Sequence, residues 1–231
     1  MPALLGGVVL PLLAARSSDE AAAAGDPVGW AADLAGDTGA GTLRRPALAH
    51  TLRAGAASLV YALARDRGPG ELAALLEWLR GVMAAAAGGG GGAPGDAGVL
   101  SASLLVFAAA AHAPALGSDG GAAAAPLADM VRRVVLPAAA SALSPPVLRA
   151  FACVAAGACM DLLSAVDRPG FEAVVTALGA RLSDPAEAVR AHACPIGIMH
   201  NRMRAGARGG GASAYGRPGR PARHGSDGGP R

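Results

Sequence analysis

The sequence predicts an all-α chain, an α-solenoid of successive antiparallel helical hairpins, and three observations carry that expectation. Apolar residues make up 52% of the chain but aromatic residues only 3%, so the apolar content is mostly Ala, Leu and Val, which suits helices packed closely through small side chains. Strand formers are scarce, with Ile196 and Ile198 the only isoleucines. Apolar residues also recur at helical period between Gly and Pro punctuation along most of the chain.

In order, a first helix covers 3–15, and an acidic loop, 16–45, follows it. The next helix spans 46–66, PALAHTLRAGAASLVYALARD, with Leu48, Leu52, Ala56, Leu59, Val60 and Leu63 on one inward stripe and Arg53 and Arg65 off it. Helix 69–87 opens with Pro69 and carries Glu71 in its first turn, as a helix N-terminus favours. Its buried face is Leu72, Leu75, Leu76, Leu79 and Val82, with Trp78 in the core. The Gly-rich stretch 88–96 is a linker.

Helix 97–113 is apolar nearly all round and so expects cover on more than one side. Helices at 124–143, 146–164 and 169–182 follow, each bounded by Gly or Pro, and Ser183-Asp184-Pro185 opens another. Short connections make neighbouring helices antiparallel. First helices begin near 46, 97 and 146, a spacing of about fifty residues; a closed helical bundle is the alternative.

Charge is unevenly placed. Residues 1–194 hold thirteen arginines against sixteen acids, net −3, whereas 195–231 hold seven arginines against Asp227, net +6. All basic residues are arginine, and the absence of lysine and glutamine with a single Asn201 has the look of GC-rich coding, so arginine carries no special chemical weight. The chain therefore divides into a helical part, 1–194, and a disordered basic tail, 195–231.

No catalytic, metal or cofactor site is expected. His50, His112, His192, His200 and His224 lie on separate segments, and the glycine clusters lack the lysine and the strand-to-helix setting of a phosphate loop. Cys153, Cys159 and Cys194 show no metal spacing; Cys153 and Cys159 read as small buried hydrophobes. The apolar N-terminus lacks a preceding positive residue, and 99–116 contains His112 and Pro114, so neither a secretory leader nor a membrane span is expected.

LSDPAEAVRAHA, 182–193, resembles the second half of a HEAT repeat: Asp184 caps a helix, Pro185 sets its first turn, Val189 packs inward and Arg190 reaches a neighbouring carboxylate. With the glycine loops discounted, the hairpin spacing approaches that of HEAT and armadillo arrays. The order Leu10–Leu13, Asp19-Glu20, Asp26-Pro27 with Trp30, and then Arg53 to Leu63 is similar to a stretch of the importin β superfamily. It is most like the large importins of the seven and eight type.

That resemblance covers 4–193 in element order and implies a middle segment of a longer nuclear transport receptor. It implies a non-enzymatic protein that shuttles between nucleus and cytoplasm, with protein cargo, Ran GTPase and nucleoporins as partners. Asp19, Glu20, Asp26, Asp33 and Asp37, with Trp30 among them, are then the candidate partner-binding surface, suited by charge to a cationic partner.

The tail resembles an RNA-binding Arg-Gly segment, with Arg202, Arg204, Arg208, Arg217, Arg220 and Arg223 as candidate polyanion contacts. The alternative function is accordingly a HEAT or armadillo scaffold with an RNA-contacting tail. Loss of helical period at Cys194-Pro195 points instead to translated non-coding or frame-shifted sequence beyond that point.

Overall fold

A computed structural model describes residues 2–39, 43, 51–66, 69–88, 94–113, 124–142 and 144–193. The all-α expectation holds: no strand occurs among the described residues. Helix α1 runs through Pro2–Leu4, a wide π turn at Leu5–Val9 and Leu10–Leu13. Helix α7 is built the same way, from Ala124–Met130, a π turn at Val131–Val135 and Leu136–Ala140.

Both wide turns run into the next helical segment through the same four residues, Val-Val-Leu-Pro at 8–11 and 134–137. A proline inside a helix lacks an N–H and drives its ring at the carbonyl four residues back. Here those carbonyls, of Gly7 and Arg133, sit within the wide turn, where the amides of Leu10 and Leu136 bond five residues back to Leu5 and Val131. The helix thus continues past its proline.

The expected acidic loop 16–45 is instead two helices over most of its length, α2 at Ser17–Gly25 and α3 at Pro27–Thr38. Caps decide this locally. Asp19 Oδ2 accepts from the Arg16 amide at 2.8 Å, and Asp26 Oδ1 accepts from the Gly29 amide at 2.9 Å with Pro27 opening the helix.

Asp167 repeats the second device on Gly170 at 3.2 Å, and in both caps an aromatic residue, Trp30 or Phe171, follows the glycine. A Cβ on Gly29 or Gly170 would lie 2.1 or 2.2 Å from the capping carboxylate. Gly29→Ala and Gly170→Ala will therefore each displace the cap and cost about 1–2 kcal/mol. Gly81→Ala, on an exposed helical site with nothing within 4 Å of the added methyl, will instead stabilise by about 0.5–1 kcal/mol. Urea midpoints of the three variants check the contrast.

Helix α4, Leu52–Asp66, buries a different face from the expected one. Ala54, Ala57, Ser58, Tyr61 and Ala64 are buried with Ala56 and Val60, while Leu52 and Leu59 are 71% and 40% exposed. Small side chains give a flatter side that lets the helix sit close to its neighbour, and close approach outweighs leucine content. Leu48 lies outside the described residues.

Helix α5, Pro69–Gly88, buries Leu72, Leu75, Leu76 and Leu79 as expected, leaves the expected Val82 only half-buried and adds Met83. Trp78 is only half-buried, walling a cavity of about 120 Å³ with Pro2 and Leu5. Helix α6, Pro94–Ala111, is the centre of the molecule, touching α1, α4, α5 and α8 (Pro146–Ala158), with Leu104, Leu105, Val106 and Phe107 fully buried. Its buried serines are satisfied locally: Ser101 Oγ donates to the Gly98 carbonyl at 2.8 Å and accepts from the Ala15 amide at 2.9 Å, fastening the end of α1.

The helix expected at 146–164 breaks at Cys159, with a 49° bend between α8 and α9, Met160–Val166. Cys159 sits at φ −97°, ψ 0°, and its thiol donates to the Ala156 carbonyl. Helix α10, Arg168–Arg181, and a short helix α11 at 187–193 complete the described chain. In space α4, α6 and α8 adjoin in one row and α5, α7 and α10 in another, while α1 crosses α4 and α6 and α2 reaches α8.

Candidate functional site

Residues of α1, α2, α3 and the start of α4 line an open cleft of about 350 Å³. It gathers four of the six acidic and aromatic candidates: Asp19, Trp30, Asp33 and Asp37. Glu20 stays on the exposed side of α2, and Asp26 is engaged as the cap of α3.

Asp19 is not free to meet a partner. Its carboxylate accepts from Arg53 Nη2 at 2.7 Å, from the Arg16 amide at 2.8 Å and from Trp30 Nε1 at 3.4 Å. Burial alone would raise its pKa, but the bonds from Arg53, the Arg16 amide and Trp30 outweigh it and hold the carboxyl below its ordinary value. It is the neutralised floor of the cleft.

Trp30 is likewise a wall rather than a free ring. It is 7% exposed, tilted against Phe151 at 6.1 Å and edge-on to His192 at 6.0 Å. The Arg53 guanidinium sits over the other partner, 5.6 Å from the Phe151 centroid. Arg53, Phe151 and His192 were not among the sequence candidates. Arg53 had a weak signal, a basic residue off the apolar stripe of α4 and close in sequence to an acid-rich segment; Phe151 and His192 had none, because each arrives from more than a hundred residues away.

The accessible acids are Asp33, exposed on α3, and Asp37, one helical turn on and half-buried. Asp37 Oδ2 accepts from Thr51 Oγ1 at 2.8 Å, while Thr51 also caps α4 by accepting from the Ala54 amide at 3.0 Å. Burial pushes the Asp37 carboxyl above its ordinary value; Thr51 and Arg53 oppose the shift, and Asp33 and Asp19 add to it. A cation placed between Asp33 and Asp37 would relieve that strain.

A second polar network is buried between α8, α10 and α11. Asp184 accepts from Arg149 Nη2 at 2.7 Å, Arg149 Nε at 3.0 Å, Arg181 Nη1 at 3.0 Å and the Ala186 amide at 2.9 Å. Arg149 Nη1 also donates to the Ser144 carbonyl. The expected cap by Asp184 and inward Val189 are both present. Arg190, expected to reach a carboxylate, donates to the carbonyls of Asp184 and Pro185, since Asp184 is already taken by Arg149.

Cys153 and Cys159 are buried thiols whose pKa values burial pushes up to about 12, which leaves them as packing groups. Among the described residues no group of three or more His, Cys, Asp or Glu could hold a metal ion, and no single helix is long and apolar enough to cross a membrane. Arg202, Arg204, Arg208, Arg217, Arg220 and Arg223 lie outside the described residues. No family model matches the chain, and comparisons with curated proteins and with solved structures likewise give no match.

Proposed function

We propose that the chain is a helical protein-interaction module that receives a basic segment of a partner in the α1–α4 cleft. The observation that carries this reading is the pairing of Asp33 and Asp37 above a floor whose own charge, Asp19, is already neutralised by Arg53. A cation entering there meets the carboxylates of Asp33 and Asp37 without having to displace the Arg53–Asp19 pair, with Arg16 the further charge on the lining.

The α-solenoid belongs to the same proposal. Its support is the neighbour order of the helices, α4–α6–α8 in one row and α5–α7–α10 in the other, which is the order stacked hairpins produce. The crossing of α1 over both α4 and α6 is an addition to that order. The likeness of 4–193 to an importin β segment makes the basic partner a transport cargo, with Ran GTPase and nucleoporins as further partners and shuttling between nucleus and cytoplasm as the setting.

Fluorescence anisotropy with an Arg-rich peptide tests the cleft. Binding is expected to weaken as salt rises, and an Asp33→Asn, Asp37→Asn double variant is expected to bind about fivefold or more weakly, as loss of two charge contacts allows. Unchanged affinity in the double variant removes the cleft from the account. Capture of GTP-loaded Ran or of Phe-Gly repeats separates a transport receptor from another scaffold, and capture of neither rejects transport.

A further inference from the structure

We propose that α11 is an acid-released latch over the Trp30–Phe151 contact, with His192 as its proton acceptor. Over its described residues, 187–193, α11 is held to the rest of the chain by its buried side chains and its cap. Ala188, Val189, His192 and Ala193 are its buried side chains, and Arg190 and the Asp184 cap fix its first turn. A segment held by so few buried side chains opens locally at a fraction of the global unfolding cost.

His192 is the group that couples opening to protons. Its ring stands edge-on to Trp30, it is 7% exposed, and its Nε2 is shut away from solvent with no hydrogen-bond partner. A neutral imidazole tolerates this position; an imidazolium there would hold a buried, unmatched N–H and an unmatched charge. Among the described residues, neither acid nearest the ring is free to receive it.

On the α2–α4 side, Asp19 is filled by Arg53, the Arg16 amide and Trp30. Toward α8 and α10, Asp184 is filled by Arg149 and Arg181. On α11 itself, Arg190 is a cation and Glu187 is exposed. Burial accordingly lowers the imidazole from 6.5 to about 4.

The sign follows directly. With α11 closed His192 binds its proton only near pH 4, whereas with α11 open it binds near its ordinary value. Above pH 6.5 the closed form is fully favoured; between 6.5 and 4 the open form gains up to about tenfold in relative population per pH unit. Opening uncovers the Trp30 edge that His192 packs against, beside the cleft, so acid presents a new aromatic surface to a partner. The latch does not depend on what the cleft binds.

The test uses the full chain carrying Trp78→Phe, which leaves Trp30 as the single tryptophan. From pH 7.5 to 4, Trp30 emission is expected to shift to the red and the amides of 187–193 to lose exchange protection before far-UV helicity falls. His192→Phe in the same background is expected to abolish that early transition. Survival of the transition at the same midpoint in His192→Phe, or coincidence of the emission and helicity changes, overturns the proposal. Should His192→Phe not fold, C2–H exchange of His192 in the unsubstituted chain decides instead: titration well below 6.5 supports the latch, and titration near 6.5 rejects it.

Discussion

Asp184→Ala is expected to destabilise the chain by about 3–5 kcal/mol, the cost of removing one partner from a buried ion pair. The Asp184 side chain is fully buried and that of Arg149 is 5% exposed, so neither can recover hydration in the variant. The substitution leaves Arg149 Nε and Nη2 without acceptors, removes the partner of Arg181 and takes the cap from α11. Asp184→Asn keeps an oxygen for the Ala186 amide but not the charge, and should fall between the two. The effect is read from denaturant midpoints at constant slope.

The same network carries a pH dependence. Burial alone would raise the Asp184 carboxyl, but Arg149, the Ala186 amide and Arg181 outweigh it and hold the group below its ordinary 3.8. A depressed carboxyl contributes stability that is complete above its unfolded value and is lost as pH falls through its folded one. Asp184→Ala should therefore cost most at neutral pH and progressively less in strong acid. A loss below about 1 kcal/mol at pH 7 would mean that the arginines find other partners and that the network does not organise the C-terminal helices.

How much of this could be read in advance divides along the range of the interactions. Helix existence and type followed from local period and punctuation, because Pro69, Pro146 and the Gly–Pro breaks act within a turn of where they stand. The 16–45 segment reads as a loop because its helix starts rest on side-chain caps, Asp19 to Arg16 and Asp26 to Gly29, while α2 has no apolar stripe and that of α3 is only Trp30, Ala31 and Leu34. The α4 face was misread for a related reason: leucines dominate a period count, but Ala54, Ala57 and Ala64 define the side that can come closest.

The cleft shows the same division. Charge clustering picked out Asp19, Asp33 and Asp37, which share one surface because α2 and α3 are sequential helices. It could not separate Asp19, tied to Arg53, from Asp33, which is exposed; that depends on the Arg53 side chain reaching from the start of α4 to α2. Nor could it find Phe151 and His192 behind Trp30, since no local pattern records contacts across 121 and 162 residues.

Phe107→Ala should lower stability by about 3–5 kcal/mol, the upper range for truncating a buried aromatic. Phe107 is fully buried on α6, which is enclosed by α1, α4, α5 and α8, so no single neighbour can move into the vacancy without leaving another contact. Phe171→Ala is the comparison: Phe171 is buried in the first turn of α10 but has the exposed Arg168 guanidinium 5.8 Å from its ring, and that side chain can fold over the gap. Phe107→Leu, which keeps most of the volume, should cost under about 1.5 kcal/mol. Equal losses in Phe107→Ala and Phe171→Ala would deny α6 its central place. The slope of the denaturant transition adds a second reading, because α6 is held both by α1 at the N-terminal side and by α8 toward the C-terminus. If these form one cooperative unit through α6, Phe107→Ala shifts a single transition to lower denaturant at unchanged slope; if α1–α3 were an independent lid, the variant would split the transition, with Trp30 emission changing before the bulk of the helicity.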